Sequence, residues 1–361
     1  MGSPLQQLSW EQCLLTPKRD REAEAYLKRE AGSAPAFARY FLSCPWASKA
    51  MVRLPYENGL LVRLDFETAD LVGLVVSQEN SCRYCYAATR MMMRLLGMSE
   101  ERMQALEQRL ALPDLDPRGA AAVKFARRMS RANPLATGAD REVLRQAGFN
   151  DEEIRELAYV VACLAFMNRA TTIPALSPQA WERAPDQWFY RLLRPLIARM
   201  IKRWRRRGQP TPPASSAPGS FPELLRAYQG SPIGPVLADT FRDLWNSAIL
   251  PRQSKALMLA VIAQGLGCSI SRTEAWAVLA ADGWSEAKMA KILSHLGGAE
   301  LDADENALLS FARDSIWYEP VQIQRRARQL HERIGTARFV EALAVISFGN
   351  AVCRLAAVMS D

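Results

Sequence analysis

Shifted by 186 positions, the chain aligns with itself over a long gapless register, and that repeat limits the possible folds more than any other feature. Cys82 falls on Cys268, Leu71, Val75 and Gln78 on Leu257, Val261 and Gln264, and Gly97, Ser99, Glu100 and Met103 on Gly283, Ser285, Glu286 and Met289. The register continues through Leu110 on Leu296, Leu115-Asp116 on Leu301-Asp302, Phe125-Ala126-Arg127 on Phe311-Ala312-Arg313 and Pro134 on Pro320. After a one-residue deletion, Glu156 and Arg169 meet Glu341 and Arg354. A period of this length reads as two copies of one structural unit.

Both copies carry helix signals and no strand-period alternation bounded by hairpin turns. Asp65 can cap a helix running to about Asn80. A second helix runs to about Leu96 and closes at Gly97. Ser99 opens another, Asp116-Pro117 supplies a cap and a proline at the first helical position, and Asn150 with Glu153 forms a capping box before a long apolar helix to about Arg169. Asp302 with Glu305 repeats the box. The expected fold class is all-α, with tandem helical domains over 1–185 and 223–361 and a joining segment over 186–222. Gly208 to Ser220 in that segment is too rich in proline and serine to bury a core.

At 361 residues and 49% apolar content the chain has the material for two globular cores. No N-terminal apolar segment with a cleavage site is found and no apolar run reaches about 18 residues, so the expected compartment is the cytoplasm. Seven scattered cysteines do not make a secreted disulfide framework, and Cys163 and Cys353 lie in apolar helical runs that read as core. The net charge of +8 is local: Arg191, Arg194, Arg199, Lys202, Arg203, Arg205, Arg206 and Arg207 account for all of it. A basic face spread over a domain, and with it nucleic-acid binding, is therefore not expected.

The run Gln78-Glu79-Asn80-Ser81-Cys82-Arg83-Tyr84-Cys85 contains a CxxC. Capped by Asn80 or Ser81, a helix starting here places Cys82 in its first turn and Cys85 one turn later on the same face. Unpaired N–H groups and the positive end of the helix dipole favour a thiolate there, and nearby Arg83 or Arg90 can add to this. A zinc site needs two more ligands, and the chain has only His295 and His331, far away; no metal or cofactor is expected. Two readings stay open, a redox pair and two unreactive cysteines at helical spacing. Tyr84 is either a hydrogen-bonding group at the site or a packed aromatic.

An acidic residue, a CxYC twelve positions later and a long helix ending in Arg together resemble the carboxymuconolactone decarboxylase superfamily, and within it the AhpD-like alkyl hydroperoxidases. The resemblance implies an all-α, usually homo-oligomeric protein in which two cysteines reduce a peroxide or a disulfide while a Glu and a His relay protons. It places the thiols at Cys82 and Cys85, with Cys85 attacking peroxide and Cys82 resolving the sulfenic acid. The relay Glu falls at Asp70 and the relay His at Thr89, which is no base near neutral pH. In the second copy the four positions are Ala256, Cys268, Ser271 and Ala275, so neither a CxxC disulfide nor a relay is expected there.

The leading functional expectation is a thiol-dependent oxidoreductase active in the first copy only. Its rival is a non-catalytic member serving assembly or binding; lactone chemistry is weaker, because it needs no CxxC. The substrate would be a small peroxide or disulfide, and the thiol reductant is not encoded in any motif. From Trp188 to Trp204 apolar pairs recur at every helical turn opposite the arginines, with a break expected at Arg194-Pro195. Such a helix either packs its stripe on a domain or lies on a membrane surface, which would make the protein peripheral to the membrane.

Overall fold

The computed structural model describes residues 5, 8–109, 115–132, 134–178, 187–205, 219–296 and 301–360. These form seventeen α-helices and no strand. Two helices, α1 (Arg21–Ala31) and α2 (Pro45–Arg53), precede a run of six: α3 (Phe66–Glu79), α4 (Arg83–Leu95), α5 (Glu100–Arg109), α6 (Pro117–Ser130), α7 (Ala139–Gln146) and α8 (Asp151–Thr172). After α9 (Trp188–Arg205) come α10 (Pro222–Ala227) and α11 (Ile233–Asn246). A second run of six follows: α12 (Arg252–Leu266), α13 (Ser269–Ala281), α14 (Glu286–His295), α15 (Ala303–Asp314), α16 (Pro320–Ile334) and α17 (Thr336–Met359).

Caps read from the sequence open four of the helices. Asp65 accepts the Thr68 N–H at 2.7 Å and starts α3, and Asp116 accepts from Gly119 ahead of Pro117 to start α6. Capping boxes close at Asn150 with Glu153 and at Asp302 with Glu305, each satisfying two amides that would otherwise be orphaned. The expected break at Pro195 is absent: α9 runs through it. The Gly208–Pro218 stretch of the expected linker, with Arg206 and Arg207, lies outside the described residues.

Paired positions serve the same end in both halves. The buried Glu156 carboxylate on α8 accepts the amides of Val62, Arg63 and Leu64 ahead of α3, and Glu341 on α17 accepts the Leu250 amide ahead of α12 and the Trp46 indole N–H at 2.8 Å. A loop that must turn inside the fold thus finds a partner for its N–H groups.

One apolar core joins the two runs. Its axis is α8 packed along α17, the most extensive helix pair among the described residues, with α3 and α12 laid against them. Full burial of each Leu, Val or Phe there stabilises by about 1.5–3 kcal/mol. Polar ties cross the same seam. Arg169 on α8 donates to the carbonyls of Ser315 and Ile316, Tyr318 donates to the Asn80 carbonyl, and Lys49 and Arg53 on α2 pair with Asp239 on α11. Thr336–Met359 corrects the reading that no run is long and apolar enough to span a bilayer. It passes that test, and 89% of its most apolar window is buried within the fold. The stripe of α9 is the opposite case. Trp188, Leu192, Leu196 and Met200 are each more than 60% exposed, so this face is not covered by packing on the described residues.

Candidate active site

The turn between α3 and α4 decides the chemistry at Cys82. Asn80 ends α3, and Ser81 adopts a left-handed conformation at φ 50. The amides of Ser81 and Cys82 then close back onto the carbonyls of Gln78 and Ser77 at 3.0 and 2.8 Å, a Schellman closure. No residue remains to cap α4 except Cys82. This corrects the sequence expectation: neither Asn80 nor Ser81 caps the helix, and Cys82 precedes its first turn. Its sulfur accepts the Cys85 N–H at 3.3 Å. A non-glycine residue held left-handed is a form of local strain that tends to mark functional sites. At the turn that the sequence register aligns with this one, Gly267 takes this conformation, and Cys268 stands at the N-cap position of α13 with similar backbone angles but without a side-chain cap hydrogen bond.

The two cysteines meet over one hydroxyl: Thr171 Oγ1 lies 3.2 Å from Cys82 Sγ and 3.6 Å from Cys85 Sγ. Cys82 is fully enclosed, whereas Cys85 is 7% exposed. Burial by itself would raise the Cys82 thiol, but hydrogen bonds from Cys85 and Thr171 and the Cys85 amide outweigh it and bring it down to about 7. Cys85 moves the other way, because its hydrogen bond to Cys82 and its burial both keep its proton on. Of the two thiols, Cys82 is therefore the one that gives up its proton more readily. No arginine supplies this effect. Arg90 is bound by Glu100 and Glu107, and Arg83 stacks over Trp10 and reaches toward the Ala175 carbonyl.

Asp70 is buried and engaged rather than free. Arg205, the last residue of α9, grips both carboxylate oxygens at 2.9 and 3.0 Å, and Tyr56 donates to Oδ1 at 3.0 Å. Burial pushes the Asp70 carboxyl up, and Arg205 limits the rise. The guanidinium also stacks over Phe66 at 4.6 Å. Thr89, one turn beyond Cys85, packs against Gly73 so closely that a Cβ at 73 would lie 3.3 Å from its hydroxyl and 3.4 Å from the Tyr56 oxygen. Asp70, Tyr56, Gly73 and Thr89 thus form one contact chain between α3 and α4. The cleft over Asp70, about 420 Å³, is lined by Phe66, Met93, Arg102, Lys202 and Arg205 among others, and neither Thr89 nor either cysteine is among its walls. Tyr84 is buried in the core.

Sequence reasoning missed Thr171, Tyr56 and Arg205. Thr171 carries a weak signal, a hydroxyl pair just after the arginine that ends the apolar run of α8. Arg205 carries none, since it belongs to a segment that reads as an independent basic helix. Among the described residues no three His, Cys, Asp or Glu side chains are grouped to hold a metal ion.

Neither a protein family nor a curated protein matches this chain. Among solved structures it is similar to an uncharacterized peroxidase-related protein from Silicibacter sp. TM1040, at 26% identity over 48% of this chain and 95% of that one, with a TM-score of 0.39.

Proposed function

We propose that the chain is a thiol-dependent oxidoreductase of the AhpD-like kind, carrying two copies of one helical unit, of which the first holds the working CxxC. The observation that carries this reading is the convergence of the Cys82 and Cys85 sulfurs on the Thr171 hydroxyl, at 3.2 and 3.6 Å, with the Cys85 amide donating to Cys82. A relay built on imidazole is missing at Thr89, but a thiolate at Cys82 is itself a base adjoining the more accessible thiol. In the proposed cycle Cys85 attacks the outer oxygen of a hydroperoxide as its proton passes to Cys82. The O–O bond breaks, and the alkoxide leaves as alcohol after taking a proton. Cys82 then attacks the sulfenic sulfur of Cys85, water departs, and the two sulfurs end as a disulfide, having given two electrons to the peroxide. An external thiol reductant restores the pair.

A second reading, a non-catalytic protein acting in assembly or binding, draws support from one feature: Arg205 occupies the carboxylate at the relay position. Single-turnover oxidation separates the two. With one equivalent of cumene hydroperoxide, Cys82→Ser should accumulate a dimedone-reactive sulfenic acid at Cys85, and wild type should form the 82–85 disulfide instead. Wild-type thiols that survive this treatment at the rate of unfolded cysteine would favour the non-catalytic reading.

A further inference from the structure

The conformation that makes Cys82 the cap of α4 is disfavoured for serine, and a contact that holds it comes from the other half of the chain. Ser81 is left-handed at φ 50, where a Cβ crowds the backbone. The peptide unit leading into it carries the Asn80 carbonyl, and the Tyr318 hydroxyl donates to that oxygen at 2.9 Å. Because the peptide unit is planar, a hydrogen bond at its carbonyl fixes the whole plane, and with it the rotation that leaves Ser81 left-handed.

Tyr318 lies in the loop between α15 and α16, and that loop is tied to the helix carrying Thr171. Arg169, two residues before Thr171 on α8, donates to the Ser315 and Ile316 carbonyls at 3.0 and 3.1 Å, and its guanidinium lies 5.5 Å from the centre of the Tyr318 ring. On α16, Gln324 donates to the Thr172 carbonyl at 2.9 Å. The second half therefore holds both the turn that aims the Cys82 sulfur and the end of α8 that brings the Thr171 hydroxyl to it.

The corresponding turn of the second half supplies the contrast. Along the sequence register Tyr318 aligns with Ala132, which has no hydroxyl, and Ser81 with Gly267, which takes φ 68 with no Cβ to resist it. There Cys268 makes no side-chain cap bond, and its sulfur donates to Ser271 Oγ at 3.3 Å. The serine turn held by a phenol goes with a capping cysteine, and the glycine turn does not.

We propose that Tyr318 is a positioning residue for the CxxC of the first half: by holding the Asn80 carbonyl it keeps Ser81 left-handed and the Cys82 sulfur on the Cys85 amide. Its effect on turnover rests on the reading of Cys82 and Cys85 as a redox pair; the geometry it sets needs no oxidant.

Tyr318→Phe removes the hydroxyl and keeps the ring beside Arg169. Thiolate absorbance against pH, taken against Cys82→Ser in the same background, should show the Cys82 midpoint raised by about 0.5 pH unit, as expected for a weakened hydrogen bond to the charged form. Adding Ser81→Gly to Tyr318→Phe should bring the midpoint back, because glycine keeps the left-handed turn without the phenol. Ser81→Val, which opposes that turn with Tyr318 still present, should raise the midpoint on its own. A role in packing alone would lower the stability of Tyr318→Phe to urea and leave its midpoint unmoved. That result would overturn the proposal, as would a raised midpoint that Ser81→Gly does not restore, or an unmoved one in Ser81→Val. Disulfide formation in hydrogen peroxide, followed separately, tests the redox reading: wild type that stays dithiol while Tyr318→Phe shifts the midpoint would sink that reading and leave the role of Tyr318 standing.

Discussion

Replacing Arg205 by Met is expected to be among the most damaging single changes outside the apolar core. The guanidinium makes two hydrogen bonds to Asp70, at 2.9 and 3.0 Å, and both side chains are under 5% exposed. Removing one partner of a buried pair leaves the other charge uncompensated, which costs about 3–5 kcal/mol. Arg205→Met/Asp70→Asn removes both charges and keeps an acceptor for Tyr56, so it should recover most of the loss. The pH dependence has a definite sign. Without Arg205 the folded carboxyl of Asp70 rises further above its unfolded value of about 3.9, so the folded state binds the extra proton. The deficit is then largest above the raised folded value and fades as pH falls toward the unfolded one. Urea unfolding at pH 8 and pH 5 measures it. A deficit below about 1 kcal/mol, an equal deficit at the two pH values, or a double variant no better than the single would refute the ion-pair account.

Thiolate absorbance in the ultraviolet, taken as wild type minus Cys82→Ser, should titrate near pH 7, rising with pH. Thr171→Val should shift that midpoint upward, since it removes the hydroxyl that both sulfurs share; an unmoved midpoint would leave Thr171 a packing residue. Thr89→His should lose about 1–3 kcal/mol through overpacking against Gly73 and Tyr56. A variant of unchanged stability with faster peroxide reduction would show that the contact yields and that an imidazole can serve there. The exposed stripe of α9, with Arg194, Arg199, Lys202 and Arg203 and no acidic residue in the helix, is proposed to bind anionic lipid surfaces. Co-sedimentation with anionic vesicles should fall at high salt and be absent with neutral ones; equal recovery in all conditions would contradict it.

Local signals carried the fold a long way. Asp65, Asp116, Asn150 and Asp302 each satisfy a helix terminus with their own side chain, a decision made within four residues and so legible in the chain. The two cysteines and their helix were legible for the same reason. The cap at Cys82 was not, because it follows from Ser81 taking a left-handed conformation that sequence alone assigns to glycine first. Arg205 was beyond reach for another reason. Its partner Asp70 lies 135 residues away, a contact fixed by how helices pack rather than by any local pattern. The apolar length of α17 was overlooked because its polar residues, Ser347, Asn350 and Arg354, break the run; inside the fold they are satisfied by Leu343, Ile346 and Asn350, Arg354 only in part.

The most direct measurement is equilibrium redox titration of the wild-type protein in dithiothreitol and glutathione buffers, with the state of Cys82 and Cys85 read by alkylation and peptide mass. The account predicts a two-electron transition between dithiol and an 82–85 disulfide, at a potential of roughly −300 to −180 mV, in the range of cellular thiol reductants. Cys82 and Cys85 remaining separately alkylated up to about −120 mV, the poise of a strong protein oxidant, would contradict it.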